Sequence, residues 1–307
     1  MYDVIVIGGG TAGMTAALYI LRTGKKVLIL EAENVGGQIA YSPRVENYPG
    51  IPQISGSAFA SQLFEQVLAL GAAFELETVL AVRDAGRFKY VVTEETEYAC
   101  TSVVIATGVT HRHLNIEGEA DLAGSGISYC AVCDGAFFKD KIVAVAGGGN
   151  TALQSALFLS SLCKKVILIH RRDEFRAEST LVNQLRTKNN AIFLTSSRIR
   201  GLLGTRELEG LMVEEIKTGR VYRLPVEGLF VSIGQVPRND CFAALLQLDE
   251  NGYIAAGEDC RTSADGIFAA GDCRTKAVRQ LTTAAADGAV AGLAACLYAD
   301  EVMSLKS

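Results

Sequence analysis

The sequence predicts an α/β protein made of two doubly wound parallel sheets, with the second sheet's domain inserted into the first. The prediction rests on a glycine-rich turn after a β-branched run near residue 4, a second copy of that pattern near residue 143, and a constant offset between the copies. An offset of 139 positions separates Gly8 from Gly147 and also Glu31 from His170. Two matches at one offset indicate an internal repeat of a β-turn-α-β unit.

Each copy is predicted to run through the same elements in the same order. A buried β-branched strand leads into the glycine turn, an amphipathic helix follows at about 12–21 or 151–161, and a second buried strand comes next. Strands that alternate with helices in this way form parallel sheets. Short β-like runs at about 74–99 and 192–223 predict a small antiparallel meander on each sheet.

The two copies define the expected domains. A strand-like piece at 262–272 and an Ala- and Gly-rich helix near 282–298 follow the second copy and are assigned to the first domain. We therefore expect a discontinuous domain of residues 1–113 and 242–307, with a second domain of residues 114–241 inserted into it.

Composition describes a globular chain and argues against several partners. The 307 residues are 49% hydrophobic and 21% charged, with a net charge of −5, so the chain can bury about two cores and has no basic block suited to nucleic acid. Uncharged runs at 4–21 and 142–163 are each broken by a Gly-Gly-Gly turn, so no membrane span is expected. Nothing resembles a secretory signal, so we expect a cytoplasmic protein without a disulfide scaffold.

The first glycine turn matches a dinucleotide-binding fingerprint. Gly8 allows the tight turn, Gly10 lets backbone N–H groups approach a pyrophosphate, and Gly13 lets the helix lie close to the strand. Glu31 ends the next strand, where a carboxylate accepts hydrogen bonds from an unmodified ribose. The alternative is a structural turn with a surface glutamate.

The second copy keeps the turn but changes the charge that follows it. Gly147, Gly149 and Ala152 form the turn, and His170 stands where the first copy has Glu31. Basic residues follow at Arg171, Arg172 and Arg176. Guanidinium groups bind a 2′-phosphate that a carboxylate would repel, so the first site suits FAD or NAD and the second suits NADPH. A solvated basic turn is the alternative.

A Cys-x-x-Cys precedes the second glycine turn. Cys130 and Cys133 are followed by Asp134, and closely spaced thiols of this kind suit redox chemistry. Asp134 could act as a general acid or base, or it could be a turn residue ahead of glycine. Zinc binding is an open alternative because His111 and His113 lie nearby in the sequence. A closed zinc site needs four ligands, however, and we expect no metal. The six other cysteines are interpreted as small buried apolar residues.

Taken together, the motifs make nearly the whole chain resemble the low-molecular-weight, bacterial-type NADPH-dependent thioredoxin reductases. The motifs that carry this resemblance lie at 8–13, 36–38, 47–50, 106–108, 130–135, 147–152, 170–176, 266–272 and 279–280. The Cys-x-x-Cys-Asp-Gly and His-Arg-Arg-x-x-x-Arg elements are specific in combination.

The resemblance implies cofactors, partners and residue roles. It implies FAD at Gly8, Gly10, Thr11, Ala12, Gly13, Glu31, Gly37, Gln38, Asn47, Thr107, Gly108, Gly271, Asp272, Arg279 and Gln280. It implies NADPH at Gly147, Gly149, Asn150, Thr151, Ala152, His170, Arg171, Arg172 and Arg176. It further implies that Cys133 faces the flavin, that Cys130 attacks oxidised thioredoxin, that Asp134 handles the proton, and that the protein is a homodimer.

Some positions depart from the family pattern, and other functions compete. Val132 replaces a common threonine, and Phe137 and Phe138 are equally suited to partner docking and to a core. One alternative is a flavin-dependent disulfide oxidase that uses oxygen, which would have no need of a 2′-phosphate site. Another is a non-catalytic redox sensor that binds nucleotides.

Overall fold

The computed structural model describes residues 1–304, which fold into two compact units. The first unit consists of Met1–Thr110 and the segment from Val236 onward, and the second of His111–Gln235. These boundaries lie a few residues before the expected domain limits at 113/114 and 241/242. The predicted fold class, with one doubly wound unit inserted into another, is confirmed.

The elements follow the predicted alternation of strands and helices. Before the insertion they are β1 (Tyr2–Ile7), α1 (Thr11–Arg22), β2 (Val27–Glu31), α2 (Gly56–Ala69), β3 (Ala73–Leu76), β4 (Val79–Ala85), β5 (Phe88–Thr93) and β6 (Glu97–Ile105). Next come β7 (Val109–His111), β8 (Ile127–Ser128), α3 (Ala131–Asp134), β9 (Ile142–Ala146), α4 (Asn150–Ser160), β10 (Lys165–Ile169), α5 (Ser179–Arg186), β11 (Ala191–Leu194), β12 (Ser197–Leu203), β13 (Gly210–Glu215), β14 (Val221–Leu224), β15 (Gly228–Val231) and β16 (Gln235–Pro237). The last are β17 (Ile267–Ala269) and α6 (Leu281–Ser304). The two connecting strands, β7 and β16, pair with each other.

The sheet of the first unit is parallel at its centre. Strand order is β3-β2-β1-β6, and β17 pairs in parallel with the second half of β6. Side chains on its two faces form two separate apolar clusters, one of which contains α1 and α6. The first strand, the glycine turn and α1 also divide the uncharged run at 4–21 into three elements, as the sequence predicts.

The second unit repeats this arrangement. Strand order is β11-β10-β9-β15-β8, all in parallel, and apolar clusters again cover both faces. The pairs Val4↔Val27 and Val143↔Val166 hold equivalent positions in the two sheets, since each pair is separated from the other by the repeat offset. The internal repeat is therefore a structural repeat.

The meander prediction was wrong at its first strand in both copies. β3 and β11, which begin the two predicted segments, pair in parallel with β2 and β10 and so extend the main sheets. The antiparallel part of the first unit is β4-β5-β6, and it shares β6 with the parallel sheet. In the second unit β12-β13-β14 form a sheet of their own. Short apolar runs do not reveal whether their neighbour is parallel or antiparallel.

The long helix α6 packs on α1 through small residues. A Cβ added to Gly288 would lie 2.2 Å from the carbonyl oxygen of Ala12, and one added to Gly292 would lie 2.7 Å from that of Ala16. By length and composition α6 could cross a membrane, and a third of its most apolar window is buried. Ala291, Ala295 and Cys296 of α6 belong to the same apolar cluster as α1, so this face of the helix is part of the core of the unit.

Candidate active site

The carboxyl ends of the first unit's parallel strands meet at one edge. Ile7 pairs with Leu30 and with Ile105, and Ile105 pairs with Ala269. The residues that follow these strands therefore share one edge of the sheet, where α/β proteins bind ligands. All of the predicted flavin residues lie in this unit.

The first glycine turn is closed on one side and open on the other. Gly8 has a φ of 110°, and a Cβ there would lie 2.3 Å from the carbonyl oxygen of Ala106. A Cβ on Gly13 would lie 1.9 Å from the carbonyl oxygen of Gly8. By contrast, the nearest atom to a Cβ on Gly10 is 3.8 Å away. Gly10 is also the N-cap of α1 and makes no side-chain cap bond, so the cap residue gives the first N–H groups of the helix no side-chain acceptor.

Glu31 lies against this turn. Its Oε2 accepts the backbone N–H of Gly9 at 2.6 Å, and its Oε1 accepts that of Glu33 at 2.9 Å. Arg238, on the returning segment, pairs with Glu33. The carboxylate of Glu31 is thus fixed beside the glycine turn with lone pairs left over for a ribose hydroxyl.

Hydrogen bonds bring the other predicted flavin residues to the same edge. Gln38 donates to the carbonyl oxygen of Val109, and Gly37 follows a bridge between Gly36 and Gly10. Further contacts are Asn47 Nδ2 to Gln280 Oε1 at 3.2 Å, Thr107 Oγ1 to Asn239 Oδ1 at 3.1 Å, and a close approach of Gly271 to Ala12. Thr11 begins α1, and Gly108 follows Thr107 with a φ of 65°.

Asp272 is a half-buried acid with one fully buried carboxylate oxygen. Its Oδ1 has no hydrogen-bond partner among residues 1–304. Burial raises the pKa of Asp272 above its usual value, and Lys276 and Arg279 oppose the rise. Arg279 is held over the ring of Tyr253, 4.2 Å from its centroid, and its Nε donates to the Asp272 carbonyl at 3.4 Å. A buried carboxylate oxygen of this kind needs a donor from outside the chain.

A buried ion cluster supports the loop that carries Asp272. Asp287, on α6, accepts from the N–H of Gly271 at 2.9 Å, from Arg274 at 2.7 and 2.8 Å, and from Lys276 at 2.8 Å. Arg274 is 1% exposed. These cations lower the pKa of Asp287, although burial opposes them. The sequence analysis missed Asp287, although a single acid within the apolar run 281–299 was a readable sign of a buried polar role.

The second glycine turn has the same construction. Gly147 has a φ of 151°, and a Cβ there would clash with the carbonyl oxygen of Ser232 at 2.3 Å. Within the described chain, nothing lies within 4 Å of a Cβ on Gly149, which caps α4 without a side-chain bond. Thr151 and the buried Ala152 lie in the first turn of α4. As in the first unit, the cap residue gives the first N–H groups of the helix no side-chain acceptor.

His170 fills the place that Glu31 holds in the first unit. A Cβ on Gly148 would lie 2.2 Å from the His170 ring, and Gly148 is the repeat equivalent of Gly9. The ring is buried and its Nε2 lies 3.0 Å from the carbonyl oxygen of Glu174. Burial lowers the pKa of His170, and the nearby guanidinium groups lower it further. The imidazole is therefore neutral near pH 7 and packs on the turn.

Residues 170–178, here called the arginine loop, carry three exposed guanidinium groups. They belong to Arg171, Arg172 and Arg176, and within residues 1–304 no carboxylate lies within 4.0 Å of any of them. The loop also holds three acids, of which Asp173 pairs with Lys217 at 2.7 Å and accepts from Ser196, and Glu178 accepts from the Asn150 amide at 3.0 Å. The loop therefore presents three guanidinium groups beside the second glycine turn that make no contact with a carboxylate of residues 1–304.

Cys130 and Cys133 form a disulfide at a short helical turn. Cys130 precedes α3, and its Sγ accepts the backbone N–H of Cys133 at 3.2 Å. Both cysteines are half-buried, and Val132 between them is 55% exposed. A donor aimed at Cys130 Sγ favours the thiolate on that sulfur once the disulfide is opened. The other six cysteines are free, and all except Cys241 are buried.

Asp134 lies next to the disulfide in a network that the sequence did not reveal. Ser128 donates to Asp134 Oδ2 at 2.6 Å and accepts the N–H of Cys130 at 3.0 Å. Asp134 Oδ1 is buried and has no hydrogen-bond partner in the described chain. Burial raises the pKa of Asp134, and the bond from Ser128 opposes the rise. An acid that keeps its proton to higher pH suits proton transfer to a thiolate.

The residues considered for zinc and for docking have other contacts. His111 stacks on Tyr129 and His113 Nδ1 lies 2.9 Å from the Tyr129 hydroxyl, while that hydroxyl donates to Glu119 at 2.9 Å. Burial lowers the pKa of His111 to about 4. Within residues 1–304, no three His, Cys, Asp or Glu side chains are grouped to hold a metal ion.

The two aromatic residues after the disulfide differ in burial. Phe138 is 9% exposed and packs edge-on against Phe230, so it belongs to the core of the unit. Phe137 is half-buried. Of these two residues, Phe137 is therefore the one that keeps a possible role in docking a protein partner.

Comparison with known proteins places the chain in a defined group. A family profile described as "Pyridine nucleotide-disulphide oxidoreductase" matches residues 2–288. A thioredoxin reductase of Listeria innocua is 38% identical over 98% of this chain and 95% of its own, and one of Mycolicibacterium smegmatis is 40% identical over 95% of each. The crystal structure of thioredoxin reductase from Streptococcus pyogenes is 38% identical, covers 98% of this chain and 99% of its own, and has a TM-score of 0.95.

Proposed function

The chain belongs to the pyridine nucleotide-disulphide oxidoreductases and, within them, to the thioredoxin reductases, and on that premise we propose that it reduces the disulfide of thioredoxin or a thioredoxin-like protein with electrons from NADPH. It is a flavin-dependent disulfide oxidoreductase. The observation that carries the proposal is the Cys130–Cys133 disulfide beside Asp134, an acid with one buried carboxylate oxygen, in the same unit as the arginine loop.

The first unit is proposed to hold FAD. The open face of Gly10 suits a pyrophosphate, Glu31 suits an unmodified ribose, and the unpartnered Oδ1 of Asp272 suits a hydroxyl of the bound dinucleotide. These features fit the group by the chemistry of their donors and acceptors. When bound, the flavin supplies the reducing equivalents that open the disulfide.

The second unit is proposed to bind NADPH. The open face of Gly149 suits the pyrophosphate, and the arginine loop suits the 2′-phosphate. His170 is neutral and buried, so its proposed part is to shape the turn, and the three arginines carry the charge. We propose for the two compact units the roles predicted for 1–113 with 242–307 and for 114–241, with FAD in the first and NADPH in the second.

The two sulfurs divide the thiol chemistry. The Cys130 thiolate, favoured by the Cys133 N–H, attacks one sulfur of the partner's disulfide and forms a mixed disulfide, while the other partner sulfur leaves as a thiolate. Asp134 gives its proton to that leaving thiolate. The Cys133 thiol then attacks Cys130 Sγ as a thiolate and restores the disulfide, and its proton passes to the second partner sulfur, which leaves as a thiol. Two electrons pass to the partner in each cycle.

The exposed face of α6 and the free cysteines suggest how the protein assembles and in which compartment it works. Helix α6 exposes Val290, Leu293 and Leu297 at helical spacing, with Leu297 62% exposed. An apolar stripe of this kind fits a second copy of the chain, so we propose a homodimer, without membrane or nucleic acid partners. The six free cysteines among the described residues fit a reducing compartment such as the cytoplasm.

The proposal is tested by an absorbance titration of the purified protein. A yellow protein should bleach on addition of NADPH and recover its colour when oxidised thioredoxin is added. Cys130→Ser should bleach but reduce no thioredoxin, whereas Cys241→Ser, at the exposed free thiol, should behave as wild type. A colourless protein in the presence of added FAD would refute the proposal.

The competing functions give different results in the same cuvette. An oxidase would recover its colour with oxygen as fast as with thioredoxin, and a non-catalytic sensor would bind nucleotide without turnover. The arginine loop argues against the oxidase, since oxygen chemistry needs no 2′-phosphate site.

A further inference from the structure

The arginine loop is joined to helix α4 by a reciprocal pair of hydrogen bonds. Asn150 Oδ1 accepts the backbone N–H of Glu178 at 2.8 Å, and Asn150 Nδ2 donates to Glu178 Oε1 at 3.0 Å. Asn150 is the first residue of α4, and Glu178 directly precedes α5. The sequence predicts that Asn150 contacts the nucleotide, but both polar atoms of its side-chain amide are hydrogen-bonded to Glu178 at the end of the arginine loop.

Other contacts fix the backbone of the loop but leave its cationic groups free. The N–H of Arg176 donates to the carbonyl oxygen of Gly148 at 2.8 Å, and the N–H of Ser196 donates to that of Arg172 at 3.1 Å. The loop is thus tied both to the glycine turn and to the neighbouring strand connection. Asn150 is the one side chain of α4 that is bonded to it in the described chain.

We propose that Asn150 and Glu178 form a latch that holds the arginine loop in the geometry that recognises a 2′-phosphate, which makes Asn150 a positioning residue for nucleotide choice. The inference rests on the proposed binding of NADPH by this unit. A loop fixed before binding does not lose its freedom when the ligand arrives, so each arginine contact contributes more to affinity. The affinity for a nucleotide without the 2′-phosphate does not increase when the loop is fixed in advance, because such a nucleotide does not contact the three arginines.

The polarity of the pair makes the latch testable. The Glu178 carboxylate accepts from an amide donor 3.0 Å away. Aspartate at position 150 would keep the acceptor for the Glu178 N–H but would face the Glu178 carboxylate with a second carboxylate oxygen. Glutamine at 178 would then restore the bond with its direction reversed, since its amide donates to the aspartate.

The experiment measures binding of 2′,5′-ADP and 5′-AMP to the flavin-loaded protein by calorimetry. These ligands differ only in the 2′-phosphate, and neither depends on the redox centre. Asn150→Ala should weaken 2′,5′-ADP binding about 10-fold and change 5′-AMP binding by less than about 2-fold, because two ordering hydrogen bonds are lost. The matched control is Asn190→Ala, whose amide donates to two backbone carbonyls in the same unit, at 2.9 and 3.0 Å, away from the loop.

The reversed pair distinguishes a latch from a general loss of stability. N150D should lose 2′,5′-ADP affinity, and N150D/E178Q should recover most of it. If Asn150→Ala binds 2′,5′-ADP as the wild type does, or if N150D/E178Q stays as weak as N150D, the latch is refuted and the nucleotide site stands. If the wild-type protein does not prefer 2′,5′-ADP to 5′-AMP, the proposed 2′-phosphate site falls and the latch with it.

Discussion

Replacing Gly10 by alanine should weaken the binding of flavin to the first unit while the fold of that unit stays intact. A Cβ at Gly10 meets its nearest atom, the Gly36 carbonyl oxygen, at 3.8 Å, and the backbone there is extended with a φ of −79°. Alanine is a poorer N-cap than glycine by about 0.5–1 kcal/mol. It also restricts the unfolded chain, which stabilises the folded state by about 0.4–1 kcal/mol. These effects offset each other, so the apoprotein should unfold at the wild-type temperature.

The same substitution at Gly13 should damage the fold itself. Its Cβ would lie 1.9 Å from the carbonyl oxygen of Gly8, where ordinary contacts begin at 3.4 Å. Relieving this overlap requires α1 to move off the turn, at a cost of about 1–3 kcal/mol. Since 1 kcal/mol shifts the melting temperature of a unit this large by about 2–4 °C, the apoprotein of Gly13→Ala should melt several degrees lower.

Circular dichroism of the apoproteins and fluorescence titration with FAD separate the two effects. Gly10→Ala should raise the Kd for FAD about 10- to 100-fold, because the methyl group takes the space through which the backbone N–H groups reach a phosphate. Gly149→Ala, at the equivalent open position of the second unit, is the control and should keep FAD while NADP⁺ binding weakens. Wild-type FAD affinity in Gly10→Ala would refute the assignment of the first turn.

Three further predictions concern proton transfer, stability and assembly. Ser128→Ala removes a hydrogen bond that lowers the pKa of Asp134, so this pKa should rise. Because the protonated acid is the active form, the alkaline limb of the pH–rate profile for thioredoxin reduction should then move to higher pH. An unmoved limb would exclude this role for Asp134. Asp287→Ala leaves a buried guanidinium and ammonium without their carboxylate, so urea unfolding should show a loss of about 3–5 kcal/mol, and a loss below about 1 kcal/mol would contradict the ion cluster. Leu297→Glu should convert the dimer to a monomer in sedimentation velocity. The control is Leu76→Glu, at a residue that is equally exposed but lies outside α6, and it should stay dimeric. A dimeric Leu297→Glu protein would exclude the α6 stripe as the interface.

The sequence predicts the fold well where local pattern and repeat agree. Glycine turns, β-branched strands and the helices after them follow from neighbouring residues, and the constant offset confirms each copy with the other. Helices α2 and α5 were not predicted. Helix α5 places Leu181, Val182 and Leu185 on one apolar face, but it has only eight residues, which is shorter than the span over which a helical period can be recognised in a sequence. The pairing of β3 and β11 depends on neighbours distant in sequence and could not be read locally.

The candidate site divides in the same way. Motif residues such as Cys130, Cys133 and Glu31 are identified by their spacing, because the chemistry requires those residue types at those intervals. Their partners are not, since a serine that bonds Asp134 looks like any other serine in the sequence. Asn150 illustrates the limit: its position in the turn is predictable, but its bonds to Glu178 depend on how the loop folds back.

The equivalent positions Glu31 and His170 place different side chains on one scaffold, which is how we expect the two units to accept different nucleotides. Both side chains pack on the middle glycine of their turn, Gly9 or Gly148, so the position is occupied for steric reasons in either copy. In the first copy the occupant is a carboxylate tied to the N–H of Gly9. In the second it is a neutral ring, whose burial lowers its pKa and so keeps a further charge away from the turn. The arginine loop can then supply the positive charge from outside the turn, which an acid at position 170 would partly cancel. We therefore expect nucleotide choice in each unit to depend on the charge of the residue that covers the glycine and on the loop that follows it.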